Sequence, residues 1–337
     1  MSRPATIARG SVARVRSAYR ATGADPPFDD QRAHHGVAFE GYFWRVTDVG
    51  DGGVVIALLG ICRDTHGRSW ATAALAGHPG GLVRRATLDH AAGDPARLAV
   101  HGHTAEGGAW VRADEREVTF ALGEDAHLAL EVQRPVPWPR RALGGIGPAQ
   151  LVPGLSQYWH PWLLDGAARG SARLGERTWD LDGARVYAEK NWGAGGFPSA
   201  WWWGQAHGFA REDATVAFAG GGAGLGPLRL TATSVVVRAG REVVRITRPP
   251  ALMRVDAIPG RWYIAGRAAS HTLELEGAAT PADAHRLPVP LPARRRELPE
   301  GSAQHLAGEL RVLLRRGRRT ILDDSSRLAG LELGRGT

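Results

Sequence analysis

A single cysteine, Cys62, and two methionines stand among 337 residues. One thiol cannot close an internal disulfide, so a disulfide scaffold is excluded, and a chain this long can bury a sizeable core without such staples. Lysine is almost missing: 41 of the 42 basic side chains are arginine and the one lysine is Lys190. No stretch approaches the roughly 18 to 20 uncharged apolar residues of a membrane-spanning helix. The first 22 residues carry Arg3, Arg9, Arg14, Arg16 and Arg20 without the apolar run of a secretory signal. G-x-x-x-x-G-K-[ST], G-x-S-x-G and H-E-x-x-H are all absent, which removes the usual signatures of nucleotide hydrolysis, serine-hydrolase chemistry and zinc proteolysis.

What is present reads as a folded globular chain, with 43% hydrophobic and 23% charged residues. The net charge of +8 would attract an anionic partner. No helix-turn-helix, zinc-finger or RNA-binding pattern accompanies it, so no nucleic acid is expected as partner. Most of the arginine excess reads as compositional bias, with a peripheral contact at a membrane surface as its functional alternative. A cytoplasmic location fits both. Of twelve tryptophans, eight fall between Trp138 and Trp203. That window is where chemistry is expected.

Strand signals dominate the chain. Residues Tyr42 to Thr47, a turn over Asp48 to Gly53, and Val54 to Leu59 read as a hairpin. Alternating or apolar runs follow at intervals of roughly 8 to 12 residues, the spacing of sandwiches and barrels. Pro135, Pro137 and Pro139 are expected to end the run that precedes them. Helix signals are confined to Ser11–Arg20 and Ala142–Gln150. Tyr42-Phe43-Trp44 and Trp201-Trp202-Trp203 open the two halves alike, a hint of duplication.

Several motifs carry little. Gly220 to Gly226 is glycine-rich, but Pro227 and a strand follow where a phosphate loop needs a helix, so it reads as a turn. His101 and His103 share a strand face without a third ligand, and no metal is expected. Cys62 lies in an apolar strand and reads as packing.

The tryptophan-rich window holds S-Q-Y-W-H-P-W, then Y-A-E-K-N-W-G, then W-W-W-G-Q. His160 and Trp162 are two residues apart, as are Tyr187 and Glu189, so at strand spacing each pair points one way. A carboxyl wrapped in aromatic surface is desolvated, keeps its proton near neutral pH and can act as an acid. Tryptophan faces can stabilise a passing carbocation.

These residues resemble the tocopherol cyclase family. F-E-G-Y-F-W-R-V at Phe39 to Val46 is similar to that family's F-E-G-W-Y-F-x-V. Y-A-E-K-N-W-G at Tyr187 to Gly193, G-F-P at Gly196 to Pro198 and the block Trp201 to Gln205 are similar to its central signature. Glu309 to Val312 and Leu328 to Gly334 resemble its carboxy terminus. A wider likeness, H-x-W followed by Y-x-acid, links the chain to carotenoid hydratases that fold as two lipocalin-like barrels and carry aspartate where Glu189 stands.

The resemblance implies an all-β chain of two consecutive lipocalin-like antiparallel barrels or sandwiches with few short helices. The expected division is a basic, flexible segment over 1–25 and β domains over 26–165 and 166–337. It further implies an acid that protonates a trisubstituted alkene, whose cation is trapped by a phenol oxygen or by water. Glu189 is the expected proton donor, with Tyr187 and His160 tuning or relaying the proton. Trp162, Trp192, Trp44 and Trp202 are expected around the prenyl chain, with Lys190 nearby. Glu40 and Asn191 are expected at the quinol hydroxyls, Glu40 as a base. No cofactor is implied; the substrate is a prenyl quinol or another isoprenoid. Two alternatives stay open: a hydratase, or a non-catalytic carrier of apolar ligands. An architectural role for the motif, through Glu189–Lys190 or Glu40–Arg45 ion pairs closing a barrel end, stands beside them.

Overall fold

The structure, a computed structural model, describes residues 4–26, 33–139, 143–194, 197–290, 292 and 300–335. The expected hairpin is present: strand Phe39–Thr47 pairs antiparallel with Val54–Arg63, Thr47 opposite Val54. Its turn, rich in Gly and Asp, leaves polar backbone at the surface while the flanking apolar strands bury theirs in the ladder.

Strands form two antiparallel sheets, one of 12 strands and one of 10. The first runs from Phe39–Thr47 to Arg185–Gly193, the second from Ala200–Ala206 to Arg319–Arg335. Both repeat one device, in which the opening strand of the sheet lies between its own hairpin partner and the closing strand. Phe39–Thr47 sits between Val54–Arg63 and Arg185–Gly193. Ala200–Ala206 sits between Ala214–Leu225 and Arg319–Arg335. First-to-last pairing curls each sheet around a core of its own. Trp44, Phe120, Trp162 and Val186 belong to the first core, and Phe218, Val235, Trp262 and Leu331 to the second. The fold is thus all-β and lipocalin-like in both halves.

Four local expectations change. The division expected after residue 165 meets a 17-residue strand, Tyr158–Leu174, and the change of sheet falls between Gly193 and Ala200. The helix expected over Ser11–Arg20 is present and longer, Pro4–Arg20, so it fills most of the segment expected to be flexible. Its last turn is docked: Tyr19 donates to the Leu151 carbonyl at 2.6 Å and Arg20 pairs with Asp25. The strand Ala126–Pro137 runs through Pro135 to Pro137, because its neighbour Glu117–Leu122 ends opposite Glu131, and beyond that point only one side needs donors. In place of a helix to Gln150 there is a short 3-10 turn, Gly147–Leu151; Ala142 lies outside the described residues.

The two sheets meet through their outer faces. Trp138, Trp159, Leu164 and Tyr187 of the first half pack against Trp203, Ala217 and Val236 of the second. Arg45, fully buried, donates to the carbonyls of Leu306 and Leu328, both at 2.7 Å, and Arg238 reaches Asp165 at 2.9 Å. Desolvation alone pulls Arg45 down to about 9. These contacts hold an inter-sheet space in which the candidate functional side chains lie.

Candidate active site

Alternation along Arg185–Gly193 decides which residues can meet. Val186, Ala188, Lys190 and Trp192 point one way, Tyr187, Glu189 and Asn191 the other. Val186 and Ala188 enter the first sheet's core, whereas Tyr187 packs against the second sheet. The E-K-N-W block is therefore split between two faces.

On the outer face lies a cavity of about 380 Å³ between the sheets. Phe43, Trp159, Phe197, Trp201, Trp202 and Trp203 line it, with Glu189 and Asn191. Glycines make room. A Cβ at Gly220 would lie 2.2 Å from the Trp202 Nε1, and one at Gly41 would lie 2.0 Å from the Asn191 Oδ1. The glycine-rich run read as a turn is the end of a hairpin, Ala214–Leu225 with Leu228–Ala239, and Gly220 to Gly224 form part of the cavity wall.

Glu189 is 4% exposed. Tyr187 donates its hydroxyl to Glu189 Oε2 at 2.6 Å, and Trp203 Nε1 donates to the same oxygen at 2.9 Å. With both donors on Oε2, a proton on the carboxyl belongs on Oε1. Burial pushes the Glu189 carboxyl up to about 7 against those hydrogen bonds, and the nearby Glu332 carboxyl adds to the rise. The arrangement is a carboxyl that burial keeps partly protonated near neutral pH, with no formal positive charge among its hydrogen-bond partners.

Sequence reasoning missed Glu332, although it lies inside the quoted Leu328 to Gly334 motif. It lines the same cavity, accepts from Trp201 Nε1 at 2.5 Å, and is raised by burial. Strand pairing places it opposite Trp203 on one side and Gln304 on the other. A second acid two residues from a glycine near the carboxy terminus gave a faint signal, but only the register shows whom it faces.

The inner face holds a different cluster. Glu40 Oε2 is 3.0 Å from Lys190 Nζ, and Glu40 Oε1 is 2.7 Å from Arg63. The backbone amides of His35 and Gly36 and the Tyr42 hydroxyl also donate to Glu40. Burial alone would raise the Glu40 carboxyl, but Lys190 and Arg63 hold it well below the usual range. Lys190 also bonds the Ala33 carbonyl and His35 Nδ1, and burial pulls it down to about 8. Because Lys190 donates to Nδ1, neutral His35 carries its hydrogen on Nε2 and donates to Asp25 at 2.9 Å. Trp192 stacks between His35 and Tyr158 and donates to the Gly23 carbonyl at 2.7 Å.

The expected site is thus only partly assembled. Glu189, Tyr187, Asn191 and Trp202 come together at the cavity. Glu40, Lys190 and Trp192 belong to the inner network, and Glu40 has no capacity left for a substrate hydroxyl. The Glu40–Arg45 pair is not formed, since strand parity sends these side chains to opposite faces. Trp44 and Trp162 are packed in the first sheet's core, Trp44 against Tyr42 and Phe120. His160 lies opposite Lys190 in the ladder and accepts from the Gly145 amide at 3.1 Å. Desolvation lowers it to about 4, so it is a neutral packed histidine rather than a relay to Glu189. Gly196 of the G-F-P motif lies outside the described residues. Among the described residues no group of three or more His, Cys, Asp or Glu is placed to hold a metal ion.

Residues 147–335, more than half of the chain, match the tocopherol cyclase-like family. The chain belongs to that family. It is 26% identical over 196 residues to a probable chloroplastic tocopherol cyclase of Oryza sativa subsp. japonica, covering 55% of this chain and 41% of that protein. To the chloroplastic tocopherol cyclase of Zea mays it is 25% identical over 207 residues, covering 58% and 43%. The chain thus aligns with less than half the length of these curated relatives. Among solved structures, CghA superposes with a TM-score of 0.56 at 10% identity, and CghA with Sch210972 with 0.55 at 11%, each covering 89% of both chains. At such identities the likeness establishes the fold.

Proposed function

We propose that the inter-sheet cavity binds a prenylated quinol and that Glu189 closes a chromanol ring on it by protonating the trisubstituted alkene. The observation that carries this reading is a buried carboxyl, fixed by the neutral donors Tyr187 and Trp203, in a cavity walled by aromatic rings. Family membership supports the choice of an alkene over other proton acceptors.

In this reading Glu189 Oε1 delivers its proton to the less substituted alkene carbon, leaving a tertiary cation. Trp159, Trp202 and Trp203 line the cavity and supply ring faces to stabilise the cation, while the apolar wall excludes water that would otherwise capture it. The phenol oxygen then attacks. Tyr187 and Trp203 remain hydrogen-bonded to the carboxylate left behind, which stabilises it in place.

Leu225 and Leu228, 39% and 57% exposed, stand at the hairpin end that also lines the cavity. They support delivery of the ligand from a lipid surface. No helix among the described residues is long and apolar enough to cross a membrane.

The test is incubation with 2-methyl-6-phytylbenzoquinol, followed by chromatography and mass spectrometry. Cyclisation keeps the mass and shifts retention. Addition of one water would mean a hydratase, and binding without conversion would mean a carrier; either outcome overturns the cyclase reading.

A further inference from the structure

Two carboxyls line the cavity, Glu189 and Glu332, and the second has no part in the reading above. Glu332 lies across the strand ladder from Trp203, whose indole bonds Glu189, and on its other side it faces Gln304. Trp203, Glu332 and Gln304 therefore form one cross-strand row along the second sheet's wall. Gln304 is fully buried, and neither its Nε2 nor its Oε1 has a hydrogen-bond partner in the protein. A buried amide left unpaired is costly unless a ligand group meets it. The Asn191 Oδ1 and Trp202 Nε1, on other walls of the same cavity, are also unpartnered. A hydrocarbon could satisfy none of these atoms; a ring bearing hydroxyl groups could.

We propose that Glu332 and Gln304 bind a hydroxyl of the ligand, so that the cavity is built for a hydroxylated ring with an apolar tail, and that Glu332 takes the hydroxyl proton as the ring closes. Its second half rests on the reading of Glu189 as the acid. Gln304 N–H donates to the hydroxyl oxygen while the Glu332 carboxylate accepts its hydrogen, which makes the oxygen the better nucleophile.

The step balances without an oxidant or reductant. The alkene π bond breaks, a C–H bond forms with the proton from Glu189, and a C–O bond forms from the hydroxyl oxygen, whose proton passes to Glu332. One proton then returns from Glu332 to Glu189 through water after product release. Two carboxyls facing one cavity favour this division of labour, because like charges disfavour joint ionisation and leave one acid and one base.

The test is a fluorescence titration of the full chain with a prenylated hydroquinone and with its di-O-methyl ether, which keeps the shape but has no hydroxyl hydrogen. The wild type is expected to bind the free hydroquinone roughly tenfold tighter, the value of one hydrogen bond to a charged group. E332Q and Q304L should each shrink that preference while retaining affinity for the ether, which shows an intact cavity. Equal affinity for both ligands in the wild type, or an undiminished preference in both variants, overturns the proposal. Turnover in deuterated water separates it from the acid reading. If the wild type shows the hydroxyl preference but no deuterium enters the alkene carbon, Glu189 is not the acid while the hydroxyl station stands. If E332Q cyclises at the wild-type rate, Glu332 is not the base.

Discussion

Glu40 and Glu189 are buried carboxyls on neighbouring strands of one sheet, and their proton affinities are shifted in opposite directions. Glu40 is 0% exposed and Glu189 4%, so burial does not separate them. Company does. Glu40 is met by an ammonium, a guanidinium, two backbone amides and a phenol, and is ionised. Glu189 is met by a phenol and an indole, both neutral, and keeps its proton up to about pH 7. Desolvation pushes both carboxyls up, and only formal positive charge at hydrogen-bond distance overrides it. One face of the sheet carries an architectural ion network, the other a candidate acid.

The largest test of this division is Glu189→Gln. The amide keeps an oxygen for the Tyr187 and Trp203 donors but has no proton to give. Turnover should fall by about 10²- to 10⁴-fold, the usual contribution of a general acid. Stability at pH 7, measured by urea denaturation, should hold or rise. A variant that turns over normally would break the comparison, because the outer-face carboxyl would then be as architectural as Glu40.

Next in size is Lys190→Met on the inner face. Removing one partner of a buried ion pair costs about 3–5 kcal/mol, since Glu40 would keep its charge with only Arg63 beside it. The loss is read from the urea midpoint. Adding Glu40→Gln should recover part of it, while turnover per folded molecule stays near wild type. A stable Lys190→Met protein with lost turnover would place the lysine in the chemistry instead.

Much of this division was legible in the sequence. The Y-x-E spacing correctly put Tyr187 and Glu189 on one face, and the hairpin over Tyr42 to Leu59 followed from its turn and apolar runs. Period two also implied that Lys190 and Trp192 leave that face, yet a compact motif invites reading as one site. What the sequence withheld is register at long range. Glu332 reaches the cavity because Arg319–Arg335 pairs with Ala200–Ala206, and His160 is set opposite Lys190 by a strand with bulges beyond it. The docked helix Pro4–Arg20 likewise depends on Leu151, 132 residues away from Tyr19. No local pattern encodes such meetings.

A smaller effect has opposite signs on the two faces. Glu189 rises from 4.5 in the unfolded chain to about 7 in the folded one, so its contribution to stability is full below pH 4.5 and is lost as pH climbs through 7. Glu40 is lowered, so its contribution is present above pH 4.5 and lost as pH falls. The stability difference between Glu189→Gln and wild type should therefore grow by about 3 kcal/mol in favour of the variant from pH 4 to pH 8. Urea curves across that range check it. Glu40→Gln should lose most against wild type at neutral pH and less in acid. Parallel pH profiles for the two variants would mean that both carboxyls have the same company.

The smallest effect isolates one hydrogen bond. Trp203 Nε1 bonds the Glu189 carboxylate and so favours its ionisation. Trp203→Phe keeps a ring in the cavity and removes that donor, which should raise the Glu189 carboxyl further, by under about one unit for a bond of this kind. Because the acid must be protonated to act, the alkaline limb of the rate profile should move to higher pH by the same amount. Trp192→Phe is the matched substitution on the inner face. It loses the bond to the Gly23 carbonyl and some stability, but it is not among the groups that bond Glu189. Its alkaline limb should stay where the wild type has it. A shift in both variants would show that the two faces of the sheet are electrostatically one site.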